Sequence, residues 1–204
     1  MVRPKTHDEA LRQRLIHRAA ATVFDRGVAA LSLRQLAADV KTSTTAVYSL
    51  FGNKAGLLDS LFQEATRLFV AHLGAVQPTA DPADDVVRLG LAYREYALAN
   101  PHLYAILFSD PATRFGAASR EDSSGDAVET YQPLVDAVRR GQQDGRFTGR
   151  AAAEAVALFC WGTAHGLVSL ELAGQEAPGL TAEAGYERTL RAVVEGWRVP
   201  AAVV

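Results

Sequence analysis

Hydroxyl-bearing residues cluster near position 45 of the chain, and their types and spacing suit hydrogen bonding to a polar partner. The cluster consists of Thr42, Ser43, Thr44, Thr45 and Tyr48. Short donors on the outer side of a helix can approach base edges and phosphates in the major groove of DNA closely enough to bind them. The cluster therefore predicts a surface that contacts DNA.

Two short predicted helices position this cluster. The first covers residues 32–39, where Ser32 and Gln35 have the spacing of a reciprocal capping box. The second follows a turn at residues 40–42 and covers residues 43–51. The inward positions of both helices are apolar, so we expect the helices to cross at the large angle of a helix-turn-helix. These positions are Leu33, Leu36, Ala37, Val40 and Val47.

Basic and polar residues around the two helices could contact phosphates. Ser32 and Arg34 begin the first helix, and Lys54 begins the helix that follows the motif. The free amides and positive dipole end of a helix favour an anion at both places. Arg3 and Lys5 form a basic arm that could enter a neighbouring groove.

Charge is distributed unevenly along the chain, although the whole chain has a net charge of only −2. Residues 1–54 contain nine Lys and Arg and four Asp and Glu, which gives +5. The remaining 12 bases and 19 acids leave −7 for residues 55–204. A basic head on an acidic body is expected when only the head meets phosphate.

The remainder of the sequence predicts helices and no strands, so the expected fold class is all-α with about nine helices. We expect a DNA-binding domain of residues 1–54 and a larger helical domain of residues 55–204. The helices predicted outside the motif cover residues 7–26, 54–76, 82–100, 101–108, 126–144, 150–173 and 181–199, with a loop at 111–125.

Residues 36–58 resemble the DNA-binding signature of the TetR (tetracycline repressor) family. This resemblance implies a homodimeric, all-α repressor, and it implies that Thr44, Thr45, Tyr48 and Lys54 lie at the DNA. The resemblance rests on Ala37, Val47, Tyr48, Phe51, Asn53, Lys54 and Leu57.

Two positions depart from the family pattern. Lys41 occupies the turn position that is usually Gly, so a residue with a Cβ must adopt the turn conformation. Leu50 replaces the usual His before Phe51, which removes one usual phosphate contact. The departures could alter affinity or operator choice, while the fold is expected to stay the same.

The second half resembles the C-terminal domain of a WHG-type subgroup of the family. Residues 161–167 resemble its W-x-x-x-H-G element, and residues 100–108 resemble its N-P-x-L-Y segment. These two segments give no information about a ligand.

Small residues on the helix of residues 150–173 predict a dimer interface, because they let two helices approach closely. In this interpretation the last two helices of two subunits form a four-helix bundle, and the domain of residues 55–204 dimerises and regulates. Close packing inside one subunit is the alternative. The predicted interface residues are Ala155, Gly162, Gly166 and Ser169.

Aromatic residues of the second domain could line a pocket for a hydrophobic small molecule. An ordinary core is an equally good explanation for each of them, and His165 is more simply a hydrogen-bonded helix or interface residue. No second ligand accompanies His165 at metal-binding spacing, so we expect no metal and no cofactor. The candidate pocket residues are Tyr93, Tyr96, Tyr104, Phe159, Trp161 and His165.

Other classes of protein fit the sequence less well. G-x-S-x-G, a glycine-rich phosphate loop and H-E-x-x-H are all missing, so we expect no enzyme. An architectural DNA-binding protein that senses nothing stays an alternative, although it would not need the acidic body. The single Cys160, the polar N-terminus and apolar runs well short of about 18 residues predict a cytoplasmic protein that does not contact a membrane.

Overall fold

The computed structural model describes residues 5–108, 124–175 and 182–199, with side chains described outside residues 5–7, 124–130 and 182–184. Within these ranges the chain forms nine α-helices and a short 3-10 helix, η1. Their bounds are α1 Lys5–Arg26, η1 Val28–Ala30, α2 Leu33–Asp39, α3 Thr44–Phe51, α4 Lys54–Gly74, α5 Pro82–Ala99, α6 Pro101–Phe108, α7 Ser124–Gln143, α8 Ala153–Leu172 and α9 Ala182–Glu195.

Local caps fix where several helices begin. The Ser43 hydroxyl accepts a hydrogen bond from the Ala46 amide at 3.1 Å, and the Asn53 side chain accepts one from Gly56 at 2.9 Å. Asp81 accepts a hydrogen bond from the Ala83 amide at 3.0 Å at the start of α5. Each such cap contributes about 1 kcal/mol, which explains why these starts follow from the sequence.

The capping box predicted at Ser32 is only half formed. Ser32 accepts a hydrogen bond from the Gln35 amide at 3.4 Å, as predicted. The Gln35 side chain does not return to Ser32 but donates to Asp39 at 2.7 Å. The hydrogen bond that the Gln35 amide nitrogen donates to a charged carboxylate is stronger than the neutral one that its oxygen would accept from the Ser32 amide.

The described chain packs into two compact units. Unit 1 contains residues 5–68 and 100–108, and unit 2 contains residues 69–99, 124–175 and 182–199. The division falls within α4, and α6 belongs to the same unit as the helix-turn-helix. A functional boundary after residue 54 stays a prediction.

The core of unit 1 holds the helix-turn-helix. Val47 of α3 and Leu57 of α4 are fully buried, and so are Leu15 and Ile16 of α1. Gly56 is required here, because a Cβ at that position would lie 2.2 Å from the Phe51 carbonyl oxygen. The residues predicted to face inward are all buried: Leu33, Leu36, Ala37, Val40 and Val47.

The turn between α2 and α3 has the left-handed conformation that the sequence requires of Lys41. Its φ is 57°, and the Thr42 amide closes the turn by donating to the Ala37 carbonyl at 2.9 Å. A residue with a Cβ pays roughly 1–2 kcal/mol in this region of φ and ψ.

In unit 2, helices α5, α7, α8 and α9 enclose a second apolar core with Val87, Val138 and Val156 at its centre. Asp85 is buried at the edge of this core. It accepts hydrogen bonds from the Thr79 amide at 2.8 Å and from Arg140 at 2.7 Å. These bonds attach the segment before α5 to α5 and α7.

The last helix ends earlier than predicted. Helix α9 ends at Glu195 rather than near Val199, because residues 197–199 pair with residues 146–148. The Val199 amide donates to the Arg146 carbonyl at 2.9 Å, and Thr148 donates to Trp197 at 2.9 Å. Helix α8 begins at Ala153 rather than Arg150.

Helix α8 is more apolar on average than the short uninterrupted runs in its sequence suggest. By length and composition alone it could cross a membrane, with a mean hydropathy of 1.4 over 18 residues. Uninterrupted apolar runs in it are much shorter, because Gly, Thr, His, Ser and Glu residues interrupt them. Buried core helices pass the same test, so this is weak evidence for a membrane span.

Candidate functional sites

Helix α3 separates its apolar side from its hydroxyl side. Val47 is fully buried, while its neighbour Tyr48 is 52% exposed. Ser43 and Thr45 are exposed, and the predicted Thr42 and Thr44 are half-buried. The structure therefore gathers the predicted hydroxyl cluster on one accessible surface, which we call the recognition surface (Thr42, Ser43, Thr44, Thr45 and Tyr48).

Cationic and polar side chains lie along the elements next to this surface. Arg34 and Ser32 are exposed on α2, and Lys54 is half-buried at the first position of α4. Lys5 begins α1, but its side chain is outside the described set, and Arg3 lies outside the described residues.

Two arginines of α1 hold the end of α2, an arrangement that the sequence analysis missed. Arg14 donates to the Val40 carbonyl at 2.5 Å, and Arg18 donates to the Asp39 carboxylate at 2.8 Å. The Gln35 hydrogen bond and then the Arg18 hydrogen bond lower the pKa of the Asp39 carboxyl. We call this group the α1–α2 clamp (Arg14, Arg18, Gln35, Asp39 and Val40).

The α1–α2 clamp reduces the number of cations in residues 1–54 that are free to bind phosphate. Charges that composition assigns to phosphate binding are partly used inside the protein, because Arg18 is paired and Arg14 binds a carbonyl. Among the residues that the structure describes, Arg34 and Lys41 are exposed and pair with no carboxylate. Both precede the recognition surface in the chain, so part of the unneutralised charge lies where DNA would be met, while a further exposed cation, Arg26, lies at the end of α1.

Four of the six predicted pocket residues meet in unit 2. The Tyr93 hydroxyl and His165 Nδ1 share a hydrogen bond of 2.8 Å, and the Trp161 ring centroid lies 5.8 Å from that of His165. Phe69 of α4 packs edge-on against Tyr93 and Tyr96, with centroids at 5.4 and 5.2 Å. We call this group the aromatic chain (Phe69, Tyr93, Tyr96, Trp161 and His165).

Burial gives the aromatic chain an uncharged character. Tyr93 and Tyr96 are both 3% exposed. Burial lowers the pKa of His165, which favours its neutral imidazole at pH 7. Phe69 could have been found from the sequence, since it is an aromatic residue in the last turns of a long apolar helix.

The other two predicted pocket residues lie elsewhere. Phe159 is 60% exposed on α8, where its ring packs 5.6 Å from that of Trp197. Tyr104 is buried in unit 1, with its ring 4.8 Å from that of Phe108. Neither belongs to the aromatic chain as defined above.

A groove of about 780 Å³ also runs along α5 in unit 2. Arg94 at this groove makes two hydrogen bonds to Glu171 of α8, at 2.8 and 2.6 Å. Four of the nine residues that line the groove are charged, which suits a hydrophobic molecule less well than the aromatic chain does. The lining residues are Val76, Arg88, Leu91, Ala92, Arg94, Glu95, Leu98, Ala99 and Glu187.

The small residues of α8 lie on an accessible surface. Gly162 and Ser169 are exposed, and Ala155 and Gly166 are half-buried. A Cβ built at Gly162 or Gly166 would meet no atom within 4 Å among the described residues. Large apolar side chains are exposed on the same helix: Leu158 54%, Phe159 60%, Leu170 47% and Leu172 39%.

Comparison with known families agrees with this architecture. The family model described as "Bacterial regulatory proteins, tetR family" matches residues 15–61. The model described as "Tetracyclin repressor-like, C-terminal domain" matches residues 86–193, which is more than half of the chain. The chain belongs to the TetR family of helix-turn-helix transcriptional regulators.

Individual relatives are distant but similar over most of their length. The HTH-type transcriptional regulator Rv1816 of Mycobacterium tuberculosis is 25% identical over 203 residues, 87% of each chain. The HTH-type transcriptional repressor KstR2 of the same species is 26% identical over 138 residues, 67% of this chain and 68% of its own. A protein of unknown function from Rhodococcus sp. RHA1 has a similar structure, with a TM-score of 0.74, 25% identity and coverage of 93% and 96%.

Proposed function

We propose that this regulator is a cytoplasmic homodimeric repressor that binds palindromic operator DNA and releases it when a hydrophobic small molecule binds. The observation that carries the proposal is the recognition surface, where Tyr48 is 52% exposed next to fully buried Val47. The two heads of a dimer would bind half-sites about 34 Å apart, or a multiple of this distance.

The recognition surface supports specific roles at the DNA. Thr44, Thr45 and Tyr48 would contact base edges from the major groove, and Thr42 and Ser43 would contact the adjacent backbone. The predicted phosphate contacts are Ser32, Arg34 and Lys54, with Arg3 and Lys5 as an arm to a neighbouring groove. KstR2, a relative of this chain, is named as a repressor, which supports repression.

The exposed apolar surface of α8 supports the dimer. Patches of large apolar side chains on a protomer mark interaction surfaces, and Gly162 and Gly166 leave room for a second helix. Ala155 and Ser169 would lie in the same interface.

The aromatic chain supports the effector site. Its residues are uncharged and largely apolar, with two tyrosine hydroxyls and one imidazole, which is the composition typical of sites for hydrophobic small molecules. AibR shares the fold, with a TM-score of 0.64 and 18% identity, and its structure is a complex with isovaleryl coenzyme A and operator DNA. Tyr104, which lies in unit 1, and Phe159, which is exposed on α8, were predicted from the sequence for this pocket but are not part of the effector site proposed here.

Helix α4 would couple the effector to the DNA. Its first turns contribute Leu57 and Leu61 to the core of unit 1, and its last turns bring Phe69 and His72 to Tyr93 and Tyr96 in unit 2. An effector that binds one position of α4 better than another would change the spacing of the two heads and thus the affinity for the operator.

The first test is binding of the purified protein to its own upstream intergenic DNA, with a scrambled duplex as control and salt as the titrated variable. Tight, selective binding of two protomers per duplex is expected. Equal, weak and strongly salt-dependent binding to both duplexes would instead indicate a protein that only coats DNA. An effector screen on the bound complex then tests release, and a complex that no hydrophobic compound weakens would contradict sensing.

A further inference from the structure

Lys41 has a backbone conformation that the fold alone would assign to glycine. Among the described residues it is the non-glycine residue with positive φ, at 57°. Its amide donates to the Ala38 carbonyl at 3.1 Å, and the next amide, of Thr42, donates to Ala37 at 2.9 Å. These bonds hold the turn, so the direction of the Lys41 Cβ is fixed by the backbone.

Packing within the protein does not explain why Lys41 occupies this position. Lys41 is exposed, and its ammonium pairs with no carboxylate in the part of the chain that the structure describes. A turn selected for folding alone would carry Gly, or Asn, which tolerates this conformation. Strain that persists without a contact in the protein indicates a partner outside it.

The surrounding charges indicate the chemistry of that partner. Arg14 binds the Val40 carbonyl, and Arg18 is paired with Asp39, so the cations of α1 nearest to the turn are already occupied. Lys41 is a free cation directly before the hydroxyl residues of the recognition surface. A free ammonium next to a groove-binding helix suits a phosphate oxygen.

We propose that the Lys41 ammonium binds a backbone phosphate of double-stranded DNA at the edge of the groove that α3 enters. The inference rests on the proposed function. It also gives a reason for the other departure in the motif: Leu50 is half-buried against the core of unit 1 and offers no donor, and Lys41 supplies a contact in its place.

The test compares four variants of the full-length protein by thermal melting and by DNA affinity. Lys41→Gly removes the charge and the strain, Lys41→Asn removes the charge from a residue that tolerates the turn, and Lys41→Arg keeps the charge. Arg150→Gln is the control, because it removes one exposed charge from unit 2. Affinities are measured on a duplex selected by the protein from a random pool and on a scrambled duplex, each across a range of salt concentrations.

Lys41→Gly is expected to melt no lower than the wild type while binding both duplexes more weakly. One lost phosphate contact in each protomer lowers affinity roughly five- to tenfold per protomer at about 0.1 M salt, and it reduces the salt slope by about 0.9 per protomer, or about 1.8 for a bound dimer. Lys41→Asn should show the same loss, whereas Lys41→Arg and Arg150→Gln should retain the wild-type slope.

The two hypotheses fail in different ways. If Lys41→Gly and Lys41→Asn both kept the wild-type salt slope and affinity, the proposal that Lys41 binds a phosphate would be overturned, while the proposed function would stay intact. A lower melting temperature for Lys41→Gly would show that the side chain supports the fold, which also overturns it. A wild type that does not prefer the selected duplex would contradict the operator-binding function, while the slopes on the scrambled duplex still decide whether Lys41 binds phosphate.

Discussion

Tyr48 is adjacent to Val47 in the chain, and the two side chains have opposite environments: 52% exposed for Tyr48 and 0% for Val47. On a helix, consecutive residues lie about 100° apart, so one can face the core while the next faces solvent. A large aromatic side chain left exposed beside hydroxyl residues has little to contribute to folding. We infer that its contribution is to binding.

Tyr48→Ala is therefore expected to reduce operator affinity by tenfold or more while the free energy of unfolding changes by less than about 0.5 kcal/mol. Anisotropy titrations on the selected duplex measure the operator affinity, and a denaturant melt measures the free energy of unfolding. Tyr48→Phe separates the hydroxyl from the ring. Unchanged operator affinity in the alanine variant would remove Tyr48 from the interface.

Cys160 illustrates the opposite case, a reactive group that the fold makes unreactive. It is 5% exposed, and burial raises the pKa of its thiol to about 11. Only the thiolate is nucleophilic, so at pH 8 about one thiol in a thousand is reactive, compared with about a quarter for a free cysteine.

We expect a thiol reagent at pH 8 to label native Cys160 at least a hundredfold more slowly than the unfolded chain. Because the pKa is raised, the native rate should increase about tenfold for each pH unit between pH 7 and pH 10. Labelling with and without guanidinium measures both. Equal rates in the two states would show that Cys160 is accessible in the folded protein, contrary to its burial.

Residue types and periodicity were sufficient to predict the recognition surface, because both sides of α3 follow from one helix period. They were not sufficient to predict the α1–α2 clamp. Arg18 and Asp39 are 21 residues apart, and their contact depends on how two helices cross. The sequence therefore overstated the number of cations free for DNA.

At the scale of elements, helix starts with a local side-chain cap were predictable, whereas a helix end that depends on distant pairing was not. Asn53 and Asp81 cap α4 and α5 through hydrogen bonds within three residues, so short-range sequence determines them. The end of α9 depends on pairing between residues 146–148 and 197–199, which nothing local to α9 reveals.

The α1–α2 clamp predicts an effect on DNA binding without a DNA contact. Arg18→Gln should change stability little, since the pair is partly exposed, but it should loosen α2 and weaken operator binding. The salt slope should stay at the wild-type value, because no phosphate contact is lost. Salt-dependent anisotropy on the selected duplex measures both quantities.

Asp39→Asn is the decisive companion to Arg18→Gln. If the clamp positions α2, this variant also weakens operator binding, because the Arg18 pair is lost. If Arg18 acts only as a charge, removing the acid makes the head more positive and strengthens binding instead. The pKa of Asp39 is lowered, so its contribution is present at neutral pH and is lost only as the pH falls through that lowered value.

At the scale of the whole molecule, α8 is the helix for which the sequence could not predict which side is buried and which side is exposed. It is apolar around most of its circumference, and only 28% of its most apolar window is buried. Such a pattern does not tell which side faces the core and which side faces another surface. The structure separates them: Val156, Ala157 and Val168 are buried, while Leu158 and Phe159 are exposed.

Gly162→Leu tests whether that exposed surface is a dimer interface. Within the described protomer a Cβ at Gly162 meets no atom within 4 Å, so a larger side chain should leave the protomer folded and, in a helix, favour it by up to about 1 kcal/mol. In a close helix–helix contact the same side chain forces the subunits apart. Sedimentation at micromolar concentration should therefore show a dimer for the wild type and a monomer of 21.8 kDa for the variant.

Gly149→Leu is the matched control for this experiment, because Gly149 is exposed in unit 2, has nothing within 4 Å of a built Cβ and lies before α8. The control should remain dimeric. Gly162→Leu should also lose the concentration dependence of its melting temperature and most of its operator affinity, since a monomer binds a single half-site. A variant that stays dimeric and binds normally would place the dimer interface away from Gly162. If the wild type were instead recovered with membranes, the partner of the apolar surface of α8 would be a membrane and not a second subunit.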